Sequence, residues 1–171
     1  MIMASERTDR LANLTFVVAC LVLVGVAAVR IGLPRERVRA REGFIEVGSA
    51  DPFGLAAVEG GKRLLCVFVS ADCPFCDDGL SFYAKLVSRA AERGARASVV
   101  FATIEPLERV RNYLERAGVR KPPVFSVVRP PGIPGTPCIV LLDGRRRVER
   151  SWAGRLSARQ ERDVETLVGT K

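Results

Sequence analysis

The sequence predicts an α/β fold, a central mixed sheet flanked by helices, preceded by one N-terminal transmembrane helix. Three observations predict it. Short apolar runs bounded by turn residues alternate with segments whose apolar residues fall at helical spacing, the pattern of parallel βαβ units. A late pair of apolar runs around Asp143-Gly144 adds an antiparallel hairpin. Ahead of both, Leu11 to Val29 is a run of 19 residues without a charge.

That run covers about 28 Å at about 1.5 Å per residue, near the bilayer hydrocarbon thickness of about 30 Å. Arg7, Asp9 and Arg10 precede it, and Arg30 and Arg35 follow. A core helix is rarely apolar all round for so long. The competing reading is a cleaved signal peptide, whose positive n-region is here offset by Glu6 and Asp9. The expectation is an uncleaved anchor over residues 11–33, after a tail of residues 1–10. Cys20 inside the run reads as a small apolar residue. Residues 34–60 read as a charged linker with turn signals at Gly48-Ser49 and Asp51-Pro52 and a possible short strand at Phe44 to Val47.

The folded domain is expected over residues 61–171. Arg63 to Ser70 is a nearly continuous apolar run and reads as a buried central strand. From Cys73 to Arg93, Leu80, Tyr83, Ala84 and Val87 share a helical face, and Gly94 suits the end of that helix. Ala97 to Thr103 is a second strand. Pro106 to Ala117 is a helix with Pro in its first turn and Gly118 after it. Val124 to Val128 and Cys138 to Leu142 are strands, and Val148 to Trp152 returns from the Asp143-Gly144 turn. Ser157 opens the last helix, with Gln160 placed to complete a capping box.

Composition narrows the chemistry. With 48% hydrophobic residues the chain is too apolar for a disordered class. The net charge of +8 comes mainly from scattered arginines, with only 6% aromatics, so nucleic-acid binding is not expected. There is no histidine, which excludes histidine-based triads, metal ligands and general bases. The five cysteines are Cys20, Cys66, Cys73, Cys76 and Cys138, too few for a disulfide-stapled scaffold.

The chemistry concentrates at Cys73-Pro74-Phe75-Cys76, which follows a buried strand and opens a helix. A helix N-terminus offers unpaired N–H groups and partial positive charge, both of which favour a thiolate. Two intervening residues place the sulfurs on one turn, close enough for a disulfide. Pro74 suits the first turn because its missing N–H is no loss there. A zinc site would need further ligands, and the chain offers neither a histidine nor a second CxxC, so no metal and no cofactor are expected. Cys66 and Cys138 lie on expected buried strands and read as small apolar residues, although Cys138 is close enough in sequence to the Pro137 turn to be a candidate third thiol. Trp152 reads as core.

On CPFC, on Gly135-Thr136-Pro137 and on the terminal hairpin and helix, the stretch from Lys62 to Val168 resembles the thioredoxin superfamily. With its anchor and its helix–strand region around residues 106–128, it looks like the membrane-anchored, TlpA-like and redoxin-like branch of extracytoplasmic thiol–disulfide oxidoreductases. The resemblance implies a thioredoxin-like fold and a cis-proline at Pro137 facing the cysteines. It also implies that Thr136 binds the extended backbone of a substrate. Cys73 becomes the exposed nucleophile and Cys76 the resolving thiol. Pro74, Phe75, Thr136 and Pro137 become the substrate-binding residues.

The sequence departs from that pattern. Val67 stands where thioredoxins bury an aspartate, Asp72 where they have tryptophan, and Gly79 where TlpA-like reductases often carry glutamate. Asp72, Asp77 and Asp78 oppose a thiolate at Cys73, which favours a reducing or exchanging role over an oxidase. A peroxidase of this fold would want threonine and proline where Ser70 and Cys66 stand. The alternative class is a non-enzymatic copper- or partner-binding protein on the same fold. The implied partners are protein thiol or disulfide substrates and a membrane or soluble dithiol electron donor. Arg30, Arg35, Arg37, Arg39 and Arg41 behind the span favour a cytoplasmic domain by the positive-inside rule. Disulfide chemistry favours the other side, and a large domain translocates regardless of nearby charge. The expected place is the cell membrane, single-pass, with the domain extracytoplasmic, on the periplasmic side.

Overall fold

A computed structural model describes residues 41–55, 58, 61–128 and 132–169. The expected membrane span and Cys20 lie outside the described residues. Among the described residues no helix is long and apolar enough to cross a membrane.

Six strands form one sheet: β1 (Arg41–Glu42), β2 (Arg63–Phe68), β3 (Ala97–Thr103), β4 (Val124–Ser126), β5 (Cys138–Leu142) and β6 (Val148–Ala153). Their spatial order is β1-β6-β5-β2-β3-β4. β2, β3 and β4 run parallel, and β5 turns antiparallel to β2. Among the described residues four helices connect or follow them: α1 (Pro74–Asp77), α2 (Leu80–Ala90), α3 (Leu107–Arg116) and α4 (Ala158–Val168). The mixed sheet flanked by helices is therefore as expected.

The central strands are buried on both faces, which is why their sequences are continuous rather than alternating. Successive side chains point to opposite faces. Leu65, Val67, Phe101, Ile139 and Leu141 face one core with Leu86 of α2, Leu114 of α3 and Val164 of α4. Leu64, Cys66, Phe68, Val100, Cys138 and Val140 face a second core, closed by Phe53, Leu55 and Ile133 from loop segments. Trp152 is fully buried in the first core, as expected.

Several boundaries differ for identifiable reasons. The single helix expected from Cys73 to Arg93 is divided into α1 and α2, with Gly79 as the N-cap of α2. Glycine is a weak helix former, and here its N–H still reaches the Cys76 carbonyl at 3.0 Å. The strand expected at Phe44 to Val47 is not formed. Gly43 takes φ 71°, and the Ile45 N–H goes to the Ser151 hydroxyl at 3.0 Å instead of to a ladder partner. The N-terminal strand is Arg41–Glu42, paired with Ala153 and Trp152. Residues 41–55 pack on the sheet, with Phe53 and Leu55 buried. β2 stops at Phe68 and β4 at Ser126. The β5–β6 connection is not a two-residue turn at Asp143-Gly144. It spans residues 143–147, where Asp143 Oδ1 accepts the Arg145 and Arg147 N–H groups, both at 2.8 Å. Those N–H groups, Arg147 first, hold the Asp143 carboxyl below its ordinary range. The capping box of α4 is present, with Ser157 Oγ accepting from the Gln160 N–H at 3.3 Å.

Candidate active site

β2 ends at Phe68 five residues before Cys73, which is the extended N-cap of α1 with Pro74 in the first turn. The Cys76 and Asp77 N–H groups both turn back to the Cys73 carbonyl, at 2.9 and 3.3 Å. Cys73 is 9% exposed and Cys76 is 0% exposed. The expected exposed nucleophile is therefore mostly covered, though it remains the more accessible of the two. Both are free thiols. Phe75 stands out from the site at 42% exposure, and Pro74 is also exposed.

The Thr136–Pro137 peptide bond is cis, as the resemblance implied. Pro137 is buried ahead of β5, and its carbonyl accepts the Gly154 N–H at 2.8 Å. The Cys73 S–H donates to the Thr136 carbonyl at 3.1 Å, so the proline loop touches the cysteine directly. Burial pushes the Cys76 thiol far up. The Ser70 backbone and the Thr136 side chain pull it partly back, and neighbouring Cys73 pushes it up further. Thr136 thus reaches the Cys73 sulfur through its carbonyl.

Each aspartate around the pair has a partner from a distant element. Arg109 of α3 ion-pairs with Asp72. Its other nitrogen lies 3.6 Å from Glu105, whose Oε1 accepts the Ala71 N–H at 3.1 Å. The Tyr113 hydroxyl donates to Asp77 at 2.8 Å, and Arg155 pairs with Asp78 at 2.8 Å. Burial and that bond to Asp77 hold the Tyr113 phenol protonated to high pH. The adverse charge expected from these aspartates is therefore partly offset. The two ion pairs, Arg109–Asp72 and Arg155–Asp78, are surface pairs, worth about 0–1 kcal/mol each.

Beside the cysteines lies a groove of about 420 Å³, lined by Phe44, Phe75, Thr136, Pro137, Gly154 and Arg155 among others. Phe75, Thr136 and Pro137 were legible in sequence. Phe44, Gly154 and Arg155 were missed, because the β1–β6 pairing that brings Phe44 here has no local signature and Gly154 and Arg155 lie just past the end of the hairpin. Tyr83, Tyr113 and Arg109 were also missed as site neighbours, since each occupies an ordinary position on a helix.

Cys66 and Cys138 are both fully buried, but on the opposite face of the sheet from Cys73 and Cys76. Cys138 is thus not a third thiol of the site, despite following Pro137: alternation along β5 turns its side chain away. Among the described residues no cluster of three or more His, Cys, Asp or Glu residues is placed to hold a metal.

No family model matches the chain, and no curated protein matches it. Solved structures do. A thiol:disulfide interchange protein of the thioredoxin family from Chlorobium tepidum aligns with TM-score 0.51 at 22% identity, over 64% of this chain and 79% of that one. The thioredoxin domain of a thiol-disulfide oxidoreductase from Bacteroides vulgatus aligns with TM-score 0.54 at 17% identity, over 73% and 99%. A thiol-disulfide isomerase from Corynebacterium glutamicum aligns with TM-score 0.51 at 17% identity, over 66% and 83%. At such identities the likeness speaks to architecture, and together with the strand order it establishes that this chain has the thioredoxin-like fold.

Proposed function

We propose that the chain is a membrane-anchored thiol–disulfide oxidoreductase that reduces or exchanges disulfides of extracytoplasmic proteins through Cys73 and Cys76. The observation that carries this reading is the 3.1 Å contact from the Cys73 thiol to the Thr136 carbonyl, which sets the more accessible sulfur against a cis-proline loop at the edge of a groove. The Cys73 thiolate attacks one sulfur of a substrate disulfide, that S–S bond breaks, and the first substrate thiol leaves. Cys76 then attacks Cys73, forming the Cys73–Cys76 disulfide and releasing the second substrate thiol. A dithiol donor, membrane-bound or soluble, returns two electrons to the pair. Pro74 sets the first turn of α1 behind Cys73. Thr136 and Pro137 shape the groove, and Phe75 is the apolar contact on its rim.

Residues 11–33 anchor the chain, and the domain faces the periplasmic side. A periplasm-active reporter fused after Lys171 tests the side; activity only with a cytoplasmic reporter contradicts it. The catalytic reading is tested with Cys76→Ser in the full chain, offered oxidised insulin. A mixed disulfide trapped on Cys73 is expected. Absence of any adduct on Cys73 contradicts the reading.

A further inference from the structure

For Cys76 to resolve a mixed disulfide it must lose its proton, yet it is sealed at 0% exposure. Burial also pushes its thiol up, so the proton needs a route out. Histidine, the usual carrier near neutral pH, is absent from the chain. The question is which side chains can serve.

Two phenols, Tyr83 and Tyr113, are buried in the same core cluster as Cys73 and Cys76. Tyr113 already donates its proton to Asp77. Tyr83 is placed differently. Its ring is buried, 6.0 Å from the ring of Phe101 at a steep angle, and its hydroxyl lies over Gly79. A Cβ on Gly79 would stand 2.7 Å from the Tyr83 hydroxyl oxygen. The missing side chain at Gly79 is thus what admits the phenol to the turn that carries Cys76, whose carbonyl the Gly79 N–H holds. Tyr83 also lines a cleft of about 10 Å³, together with Gly79, Phe75, Pro137, Arg155 and Glu161. That volume is at the lower limit for one water. Glu161, half-buried in the first turn of α4, is the only carboxylate on this cleft, and it adds to the charge felt at Tyr83. The cation on the cleft, Arg155, is held by Asp78.

We propose that Tyr83 and Glu161 form the proton path of the resolving thiol, a role that rests on the redox reading above. As Cys76 Sγ bonds to Cys73 Sγ, the Cys73–substrate S–S bond breaks and the substrate sulfur leaves with the electron pair. The Cys76 proton passes to the Tyr83 oxygen, while the Tyr83 proton passes across the cleft to the Glu161 carboxylate and on to solvent. Tyr83 ends unchanged, and the only electrons moved are the two that oxidise the cysteine pair and reduce the substrate. Gly79 is the positioning residue that leaves the phenol its place.

The test follows Ellman's reagent in stopped flow with the full chain carrying Cys20→Ser. The first release of thionitrobenzoate reports attack by Cys73, and the second reports resolution by Cys76. Tyr83→Phe keeps the ring and removes only the hydroxyl, and Glu161→Gln keeps the shape. Each is expected to slow the second release about tenfold or more, the low side of general acid–base effects, with the first release unchanged. The double variant is expected to be no slower than either single one, because the two act in series. The solvent deuterium effect on the second release is expected to shrink in both. Tyr113→Phe is expected to stay within about twofold of the parent. A second release in Tyr83→Phe within about twofold of the parent overturns the path while leaving the redox reading intact. A parent that never gives a second release overturns the redox reading, and the path with it.

Discussion

The two faces of the sheet each hold a pair of buried cysteines, and their surroundings differ completely. Cys66 and Cys138 lie among Phe53, Phe68, Ile133 and Val140, and burial is the first cause that raises both thiols. On that face nothing among the described residues pulls either one down. Cys73 and Cys76 lie at the start of α1, where the Cys73 thiol meets the Thr136 carbonyl and the Cys73 N–H meets the Ser70 carbonyl. Residue type and burial are nearly matched. What differs is the polar surroundings: the Cys73 thiol meets the Thr136 carbonyl of a proline loop, while Cys66 and Cys138 are packed among apolar side chains.

The largest expected effect breaks that contrast outright. Cys73→Ser removes the nucleophile and is expected to lower disulfide turnover by at least about a thousandfold, measured as insulin reduction. Cys66→Ala with Cys138→Ala is expected to leave turnover within about twofold.

Alkaline titration sharpens the contrast next. The Cys66, Cys76 and Cys138 thiols are all raised in the folded protein, so folded and unfolded states bind equal protons below about pH 8.5. Above that, the unfolded thiols ionise while the folded ones do not. Stability is full below the unfolded value and is lost as pH rises toward the folded ones, by up to about 1.4 kcal/mol per pH unit for each thiol. Denaturant melts of the reduced protein from pH 8 to 10 are expected to show this loss. Forming the Cys73–Cys76 disulfide removes one thiol from the balance, and the Cys66→Ala, Cys138→Ala double variant removes two. A reduced protein equally stable across that range contradicts the assignment.

A smaller effect concerns the charge around the active pair. Arg109→Ala releases Asp72, the residue before Cys73. It is expected to slow Cys73 alkylation by iodoacetamide roughly twofold to fivefold at low salt, with the difference fading at high salt. The smallest is steric. Cys138→Ala is expected to cost about 1 kcal/mol of stability from the space it leaves, with no change in redox behaviour.

How much of this was legible in the sequence depended on how local the cause was. β2, β3 and β5 are continuous apolar runs because both faces are covered, and such runs stand out in a linear reading. The Cys73–Cys76 turn and the Pro137 loop announce themselves by composition and by position next to strands. The β1 strand did not, because Gly43 and the Ser151 hydroxyl decide where the N-terminal segment pairs. The partners of Asp72, Asp77 and Asp78 come from α3 and from beyond β6, so the aspartates looked more adverse to a thiolate than they are. Cys138 looked close to the site in sequence, and the alternation of a strand put it on the other face. Tyr83 read as one more apolar-face residue of a helix, since nothing in the sequence tells that its hydroxyl lies over Gly79.

The central claim is that one cysteine pair exchanges and the other does not. The most direct measurement equilibrates the full chain across a glutathione and dithiothreitol redox series and maps disulfides by mass spectrometry at each potential. The account predicts a single reversible transition in which Cys73 and Cys76 join, with Cys66 and Cys138 remaining thiols throughout. No reversible Cys73–Cys76 disulfide at any potential, or a transition carried by Cys66 and Cys138, would contradict it.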